Sequence, residues 1–275
     1  MKRLLSTARR GFQLARAFLE MGFSTATNYP ISFALSLARP LVPVLTFFFV
    51  ARLVPGSPLV GGDYYSFVII GFLVTEALGG ALGGFTHEMQ LAVQQGRFEM
   101  LLVEPVRWRV LPFGLAQWPI ISRMIATAIA GLIAVALGAD FRLAGLTSSL
   151  GLFFLAVLAA LSIGVLSGAI GVLSKHSDPV LTVYSLVAGV LSGVAFPIEF
   201  LPGPVRVLSF LIPHTYVITG MRRLLLEDGR EIAGPTVAQA IIALALFNLI
   251  AFPAVLWVFG RIMEAGRRTG VLSGY

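Results

Sequence analysis

Residues 148–173 and 237–260 each run without a single Asp, Glu, Lys or Arg. An α-helix rises about 1.5 Å per residue, so about 20 such residues cross a hydrocarbon core of about 30 Å. In lipid the backbone polar groups must be satisfied within the segment, which a helix does. The rest of the chain agrees: 57% of residues are hydrophobic and 12% charged, unlike a water-soluble globule. The sequence predicts an all-α integral membrane protein.

Six transmembrane helices are expected, at roughly 32–52, 64–85, 112–137, 148–173, 179–195 and 237–260, together one domain over 29–260. The fifth is only just long enough to cross. Residues 1–28 read as an amphipathic interfacial helix. Leu4, Leu5, Ala8, Phe12, Ala15 and Leu19 share one face, and Lys2, Arg3, Arg9, Arg10, Gln13 and Arg16 share the other, toward lipid head groups. Charges spread through this arm fit a secretory signal poorly, although a mitochondrial presequence is also Arg-rich and acid-poor. Residues 261–275, with Arg261, Arg267 and Arg268, form a basic tail.

The stretch 196–235 departs from this pattern. Phe196-Pro197 through Leu201-Pro202-Gly203-Pro204 breaks any helix. Val205–Ile212 is too short to span, Pro213 breaks the chain again, and Thr215–Leu226 is amphipathic. A re-entrant pair of short helices is expected between spans five and six, with its irregular backbone covered by protein.

Within the second span, Gly79, Gly80, Gly83 and Gly84 make two overlapping G-x-x-x-G pairs that allow another helix to approach closely. Glycine is also simply common in membrane helices. Glu76 stands mid-span there, Arg123 mid-span in the third, and Arg39 in the first. A central charge costs about 2.5–3.5 kcal/mol on insertion scales, so each should face protein or a cavity. Two readings are open: a structural ion pair of Glu76 with Arg123 or Arg39, or a polar lining along a substrate path. His87 and His176 fall on one side and His214 on the other, which argues against a shared metal site. No cysteine is present, so disulfide and thiol chemistry are excluded.

Six spans put both termini on one side. That side carries twelve Lys and Arg against six on the other, so it is expected to be cytoplasmic, and 196–235 to face outside. The net charge of +7 lies beside apolar spans and points to anionic lipid, not nucleic acid. A polar island from about 86 to 111 then lies in the cytoplasm. Around 96–105 it reads as an amphipathic helix too short to span, with Phe98, Leu101 and Leu102 on one face and Pro105 as its stop. It either merely connects two spans or docks a soluble partner.

Gly96, Glu99, Leu101, Leu102 and Pro105 stand in the order G-x-x-E-x-L-L-x-x-P, with Phe98 inside it. This resembles the cytoplasmic coupling segment of type-2 ABC export permeases, the daunorubicin-resistance and polysaccharide or lipid exporter class. Asp63-Tyr64-Tyr65 with Phe67 and Gly71 is similar to that family's start of the second span. Ser192-Gly193 before Phe196-Pro197 and Leu201-Pro202 resembles its break after the fifth. Pro213-His214-Thr215-Tyr216 with Gly220 and Arg222 resembles the segment returning toward the sixth.

The resemblance implies a half-transporter in the inner, plasma membrane of a prokaryote, with both termini cytoplasmic. It would pair with a second copy (a heterodimer being the alternative) and with two ABC ATPase subunits that hold ATP and Mg; no cofactor is expected on this chain. The sequence has no G-x-x-x-x-G-K-[ST], and its only lysines are Lys2 and Lys175, so it is not expected to be an enzyme by itself. Gly96, Arg97, Phe98, Glu99, Leu101, Leu102 and Pro105 would couple to the ATPase. Phe196, Pro197, Leu201, Pro202, Pro213 and Tyr216 would form an outer gate. The cargo would be an amphipathic drug, a lipid or a lipid-linked glycan, moved outward. The alternatives are a membrane-embedded prenyl or acyl transferase, which would want clustered carboxylates or a histidine-acid pair, and a secondary transporter.

Overall fold

A computed structural model describes residues 2–53, 63–94, 110–174, 179–227, 229, 232 and 234–269. Among these it has ten α-helices, two single 3-10 turns and no strand. The helices are α1 (Lys2–Asn28), α2 (Pro30–Ala38), α3 (Leu41–Leu53), α4 (Tyr64–Gln94), α5 (Leu111–Ala136), α6 (Leu146–Ser174), α7 (Pro179–Leu191), α8 (Gly203–Ser209), α9 (Pro213–Leu225) and α10 (Val237–Thr269). Five stretches are long and apolar enough to cross a membrane: Pro30–Leu53, Tyr64–Ala92, Leu111–Ala136, Leu143–Gly171 and Val237–Ala265.

Local chemistry sets several boundaries. Asp63 caps α4: its carboxylate accepts from the N–H of Tyr65 at 3.2 Å, the N–H of Ser66 at 2.9 Å and the Ser66 hydroxyl at 2.7 Å. A reciprocal capping box opens α10, where Thr236 Oγ1 accepts from the Gln239 N–H at 3.2 Å and Gln239 Oε1 accepts from the Thr236 N–H at 2.9 Å. Gly138, with φ of 103°, takes the chain out of α5, a conformation in which a Cβ is strained.

Four expectations are corrected. The first span, expected as one helix over 32–52, is split at Arg39-Pro40 into α2 and α3, because Pro40 supplies no N–H to the helix ladder. The second span does not stop at 85. α4 runs to Gln94, about 46 Å at 1.5 Å per residue, and takes in the start of the expected polar island. The apolar stretch expected over 179–195 is helical only to Leu191, about 20 Å of helix. The basic tail begins as helix, since α10 continues through 261 to Thr269.

In lipid, apolar surface gains little by leaving its surroundings, so close packing of small residues carries helix association. α4 is the central helix, with 67% of its apolar window buried, against 50% for α6 and 6–17% for the other candidate spans. α6 crosses it where Gly164 lies against the Ala81 and Leu82 carbonyls and Gly168 against the Phe85 ring. Thr86 Oγ1 donates to the Gly164 carbonyl at 3.0 Å across this contact. On another side α5 crosses at Pro119. α10 joins through Phe259 on Phe85, with ring centroids 5.4 Å apart, and through Asn248 Nδ2 donating to the Leu155 carbonyl at 2.9 Å. Large apolar side chains such as Leu132, Phe154, Leu249 and Ile250 are exposed, as lipid-facing surface requires. α8 and α9 pack at one end of the bundle, the hairpin end. α1 packs at the other, the arm end, with Phe18 over Gly114 and Gly22 against Trp118.

Candidate functional site

Glu76 and Arg123 meet between α4 and α5. Arg123 Nη1 donates to Glu76 Oε2 at 2.7 Å, and both side chains are half-buried. Of the two arginines open to Glu76, the ion pair is with Arg123. Arg39 is exposed at the α2–α3 break. Taking both charges out of water together is far less costly than burying one alone.

The four glycines below Glu76 divide. A Cβ on Gly80 would fall 2.5 Å from the Pro119 carbonyl oxygen, and one on Gly84 would overlap the Pro119 ring. A Cβ on Gly79 would meet nothing within 4 Å, and one on Gly83 would rest 3.4 Å from Leu181. Only the Gly80/Gly84 pair therefore seats α5. Gly79 continues the α4 face on which Glu76 stands.

At the hairpin end each residue of Pro213-His214-Thr215-Tyr216 has a definite place. Pro213 opens α9, where its missing N–H costs nothing. Thr215 Oγ1 donates to the Ser209 carbonyl at 2.6 Å and Tyr216 Oη to the Phe210 carbonyl at 2.9 Å, so both satisfy the end of α8. His214 is buried, with its Nδ1 2.8 Å from Tyr184 Oη on α7, and burial lowers its pKa to about 4. Pro197 precedes the 3-10 turn Ile198–Phe200, and Pro202 caps α8. Phe196 and Leu201 are half-buried on this hairpin, beside the buried Ile198.

Arg222 ties these pieces to α4. It is 3% exposed, and its guanidinium donates to the carbonyls of Phe67 at 3.0 Å, Gly193 at 2.7 Å and Val194 at 2.5 Å. Gly193 and Val194 belong to the unwound stretch after α7, whose carbonyls have no helix partner to donate to them. Desolvation lowers the guanidinium's pKa, while Glu199 and Tyr64 act the other way. Sequence reasoning placed Arg222 on the outward side and in the motif that resembles the segment returning toward the sixth span, but gave it no partner. It also missed the Gly164/Gly168 pair, although that pair has the same readable spacing as the glycines of α4.

Gly96, Arg97, Phe98, Glu99, Leu101, Leu102 and Pro105 lie outside the described residues.

The family described as ABC-2 family transporter protein matches residues 118–257, just over half of the chain. No curated protein matches it.

Proposed function

The chain belongs to the ABC-2 transporter family and is a multi-pass helical membrane permease; on that premise we propose that it is the membrane half of an ATP-driven exporter. The observation that carries this reading is the family match over a bundle of apolar helices, from most of α5 through α6, α7 and the hairpin to most of α10. Two copies form the pathway, as a homodimer in the simplest case. Two ATPase subunits, which hold ATP and Mg, dock below. Their grip is the 96–105 segment, whose Phe98, Leu101 and Leu102 fill a cleft on the ATPase. Arg97 and Glu99 set its register from the rim.

In this reading the chain crosses six times, by the five long apolar stretches and a shorter crossing that begins with α7, and both termini lie in the cytoplasm. The fifth is discontinuous: α7 covers about two thirds of the core, and the stretch around 192–197 completes it. Irregular backbone at membrane depth needs protein partners, and Arg222 supplies them to Gly193 and Val194. α8 and α9 then form the outer gate, which closes over an amphipathic drug, lipid or lipid-linked glycan leaving the pathway. ATP binding shifts the population of membrane states because the ATPase contacts them differently.

Reconstitution with the cognate ATPase in liposomes tests this. Export should require ATP hydrolysis. Gly96→Pro or Glu99→Ala should leave insertion and hydrolysis intact while export falls at least about tenfold, a loss of about 1.4 kcal/mol of coupling. Export driven by an ion gradient without ATP would favour a secondary transporter, and unchanged export in both variants would remove the docking role.

A further inference from the structure

A groove of about 510 Å³ lies at the hairpin end, between the first turns of α10 and the α8–α9 corner. Phe210 and Tyr216 of the corner form one wall, and Gln239, Ile242, Ala243 and Leu246 form the other. Those four positions of α10 are spaced i, i+3, i+4 and i+7, so they share one helical face. The apolar span of α10 opens at Val237, and Leu246 lies about 14 Å further along its axis at 1.5 Å per residue. One leaflet of a bilayer's hydrocarbon is about 15 Å deep. The groove therefore runs the depth of one leaflet. It is open to the surroundings: Ile242 is 58% and Leu246 54% exposed, and the same apolar stripe continues to the exposed Leu249 and Ile250.

Polarity is ordered along the groove. Among its described lining residues only Tyr216 and Gln239 have polar side chains. Tyr216 Oη gives its proton to the Phe210 carbonyl at 2.9 Å. Gln239 Oε1 accepts from the Thr236 N–H at 2.9 Å, in the capping box that opens α10. The amide's Nε2 protons are thus what Gln239 presents to a ligand, near the start of α10. Ala243 and Leu246, deeper in the leaflet, present only hydrocarbon. An amphiphile with acceptors at its mouth end and a chain pointing toward the midplane matches this order, and a phospholipid's ester carbonyl and acyl chain are so arranged. No described lining side chain is charged at neutral pH, so the walls read the chain and not the charge of the head group.

We propose that the groove binds one acyl chain of a membrane phospholipid, and that this lipid is a structural ligand holding the α8–α9 corner against α10. Continuity with the lipid-facing stripe of α10 selects lipid over a second copy of the chain as the occupant. The inference does not rest on the exporter reading: it concerns a resident lipid and not the cargo.

The test is native mass spectrometry of the full chain, purified in detergent and titrated with dioleoylphosphatidylcholine. A first lipid should bind at least about tenfold more tightly than any further one. Dioleoylphosphatidylglycerol should match it within about threefold, and glycerophosphocholine, which has the head group and no chain, should not compete. Ala243→Trp fills the groove from α10 and should weaken the first site at least about tenfold. Leu249→Trp, on the stripe beyond the groove, should leave it unchanged. Bound lipid should raise the thermal midpoint of the wild type by at least about 4 °C and that of Ala243→Trp not at all. If Ala243→Trp does not fold, Leu246→Gln, which makes the exposed floor polar, decides in its place. Equivalent binding of many lipids with no distinct first one, competition by glycerophosphocholine, or wild-type affinity in the groove variant would overturn the proposal. Dissociation of a dimer in Ala243→Trp with lipid binding unchanged would assign the groove to a second copy, and overturns it too.

Discussion

Arg222 is held twice by Phe67: its guanidinium lies 3.5 Å from the centroid of the ring and donates to the backbone carbonyl of the same residue at 3.0 Å. One side chain thus joins α9, the end of α7 and the first turns of α4. Lysine keeps the charge but has no planar fork to reach three carbonyls at once. Arg222→Lys and Arg222→Met should both destabilise the hairpin end by roughly 2–5 kcal/mol, because buried carbonyls lose their donors. Thermal unfolding of the purified protein measures this. A midpoint unchanged in both variants would contradict the clamp.

The Glu76–Arg123 pair separates structure from transport. Glu76→Gln or Arg123→Gln strands one half-buried charge and should cost about 2–5 kcal/mol. The swapped pair, Glu76→Arg with Arg123→Glu, should recover most of that loss. If the pair is purely structural, export recovers too. If it lines the substrate path, stability returns and export does not.

Gly80 and Gly79 are neighbours with opposite expectations. Gly80→Ala drives a methyl into the backbone at Pro119 and should cost about 1–3 kcal/mol. Gly79→Ala meets open space and should change stability by less than about 0.5 kcal/mol. Gly164→Ala, against the Ala81 and Leu82 carbonyls, should resemble Gly80→Ala. Equal effects at 79 and 80 would mean that α5 does not cross α4 at Pro119.

His214 gives the hairpin end a pH dependence. It lies outside the five candidate spans, and burial lowers its pKa to about 4. An unfolded histidine titrates near 6.5, so between these values the unfolded chain binds the proton and the folded one does not. Its contribution is fully present above about pH 6.5 and is lost as pH falls toward 4, at up to about 1.4 kcal/mol per pH unit. Thermal midpoints measured from pH 8 to 4 should show this slope in the wild type and a shallower one in His214→Gln. Parallel curves would assign the pH dependence to other groups.

Much of the architecture was legible from local pattern. The apolar runs at 112–137, 148–173 and 237–260 coincide closely with α5, α6 and the start of α10, because helix and hydrocarbon thickness impose one length on all of them. The breaks at Pro197, Pro202 and Pro213 were readable for the same kind of reason: proline removes a donor whatever surrounds it. Glu76 was readable as a charge that needed a partner, but two arginines satisfied that requirement equally well until α4 and α5 were packed.

The tertiary structure decided what depends on neighbours distant in sequence. Arg222 and Phe67 are 155 positions apart, and nothing in the residues around either one marks the pairing. That Gly80 and Gly84 meet α5 while Gly79 and Gly83 do not follows from the rotation of α4, which spacing alone leaves free. Hydropathy is a property of a segment, so local pattern alone puts this chain in a membrane as helices. Close packing and the pairing of buried polar groups are properties of contacts, and only the folded bundle determined which glycine, which arginine and which carbonyl meet.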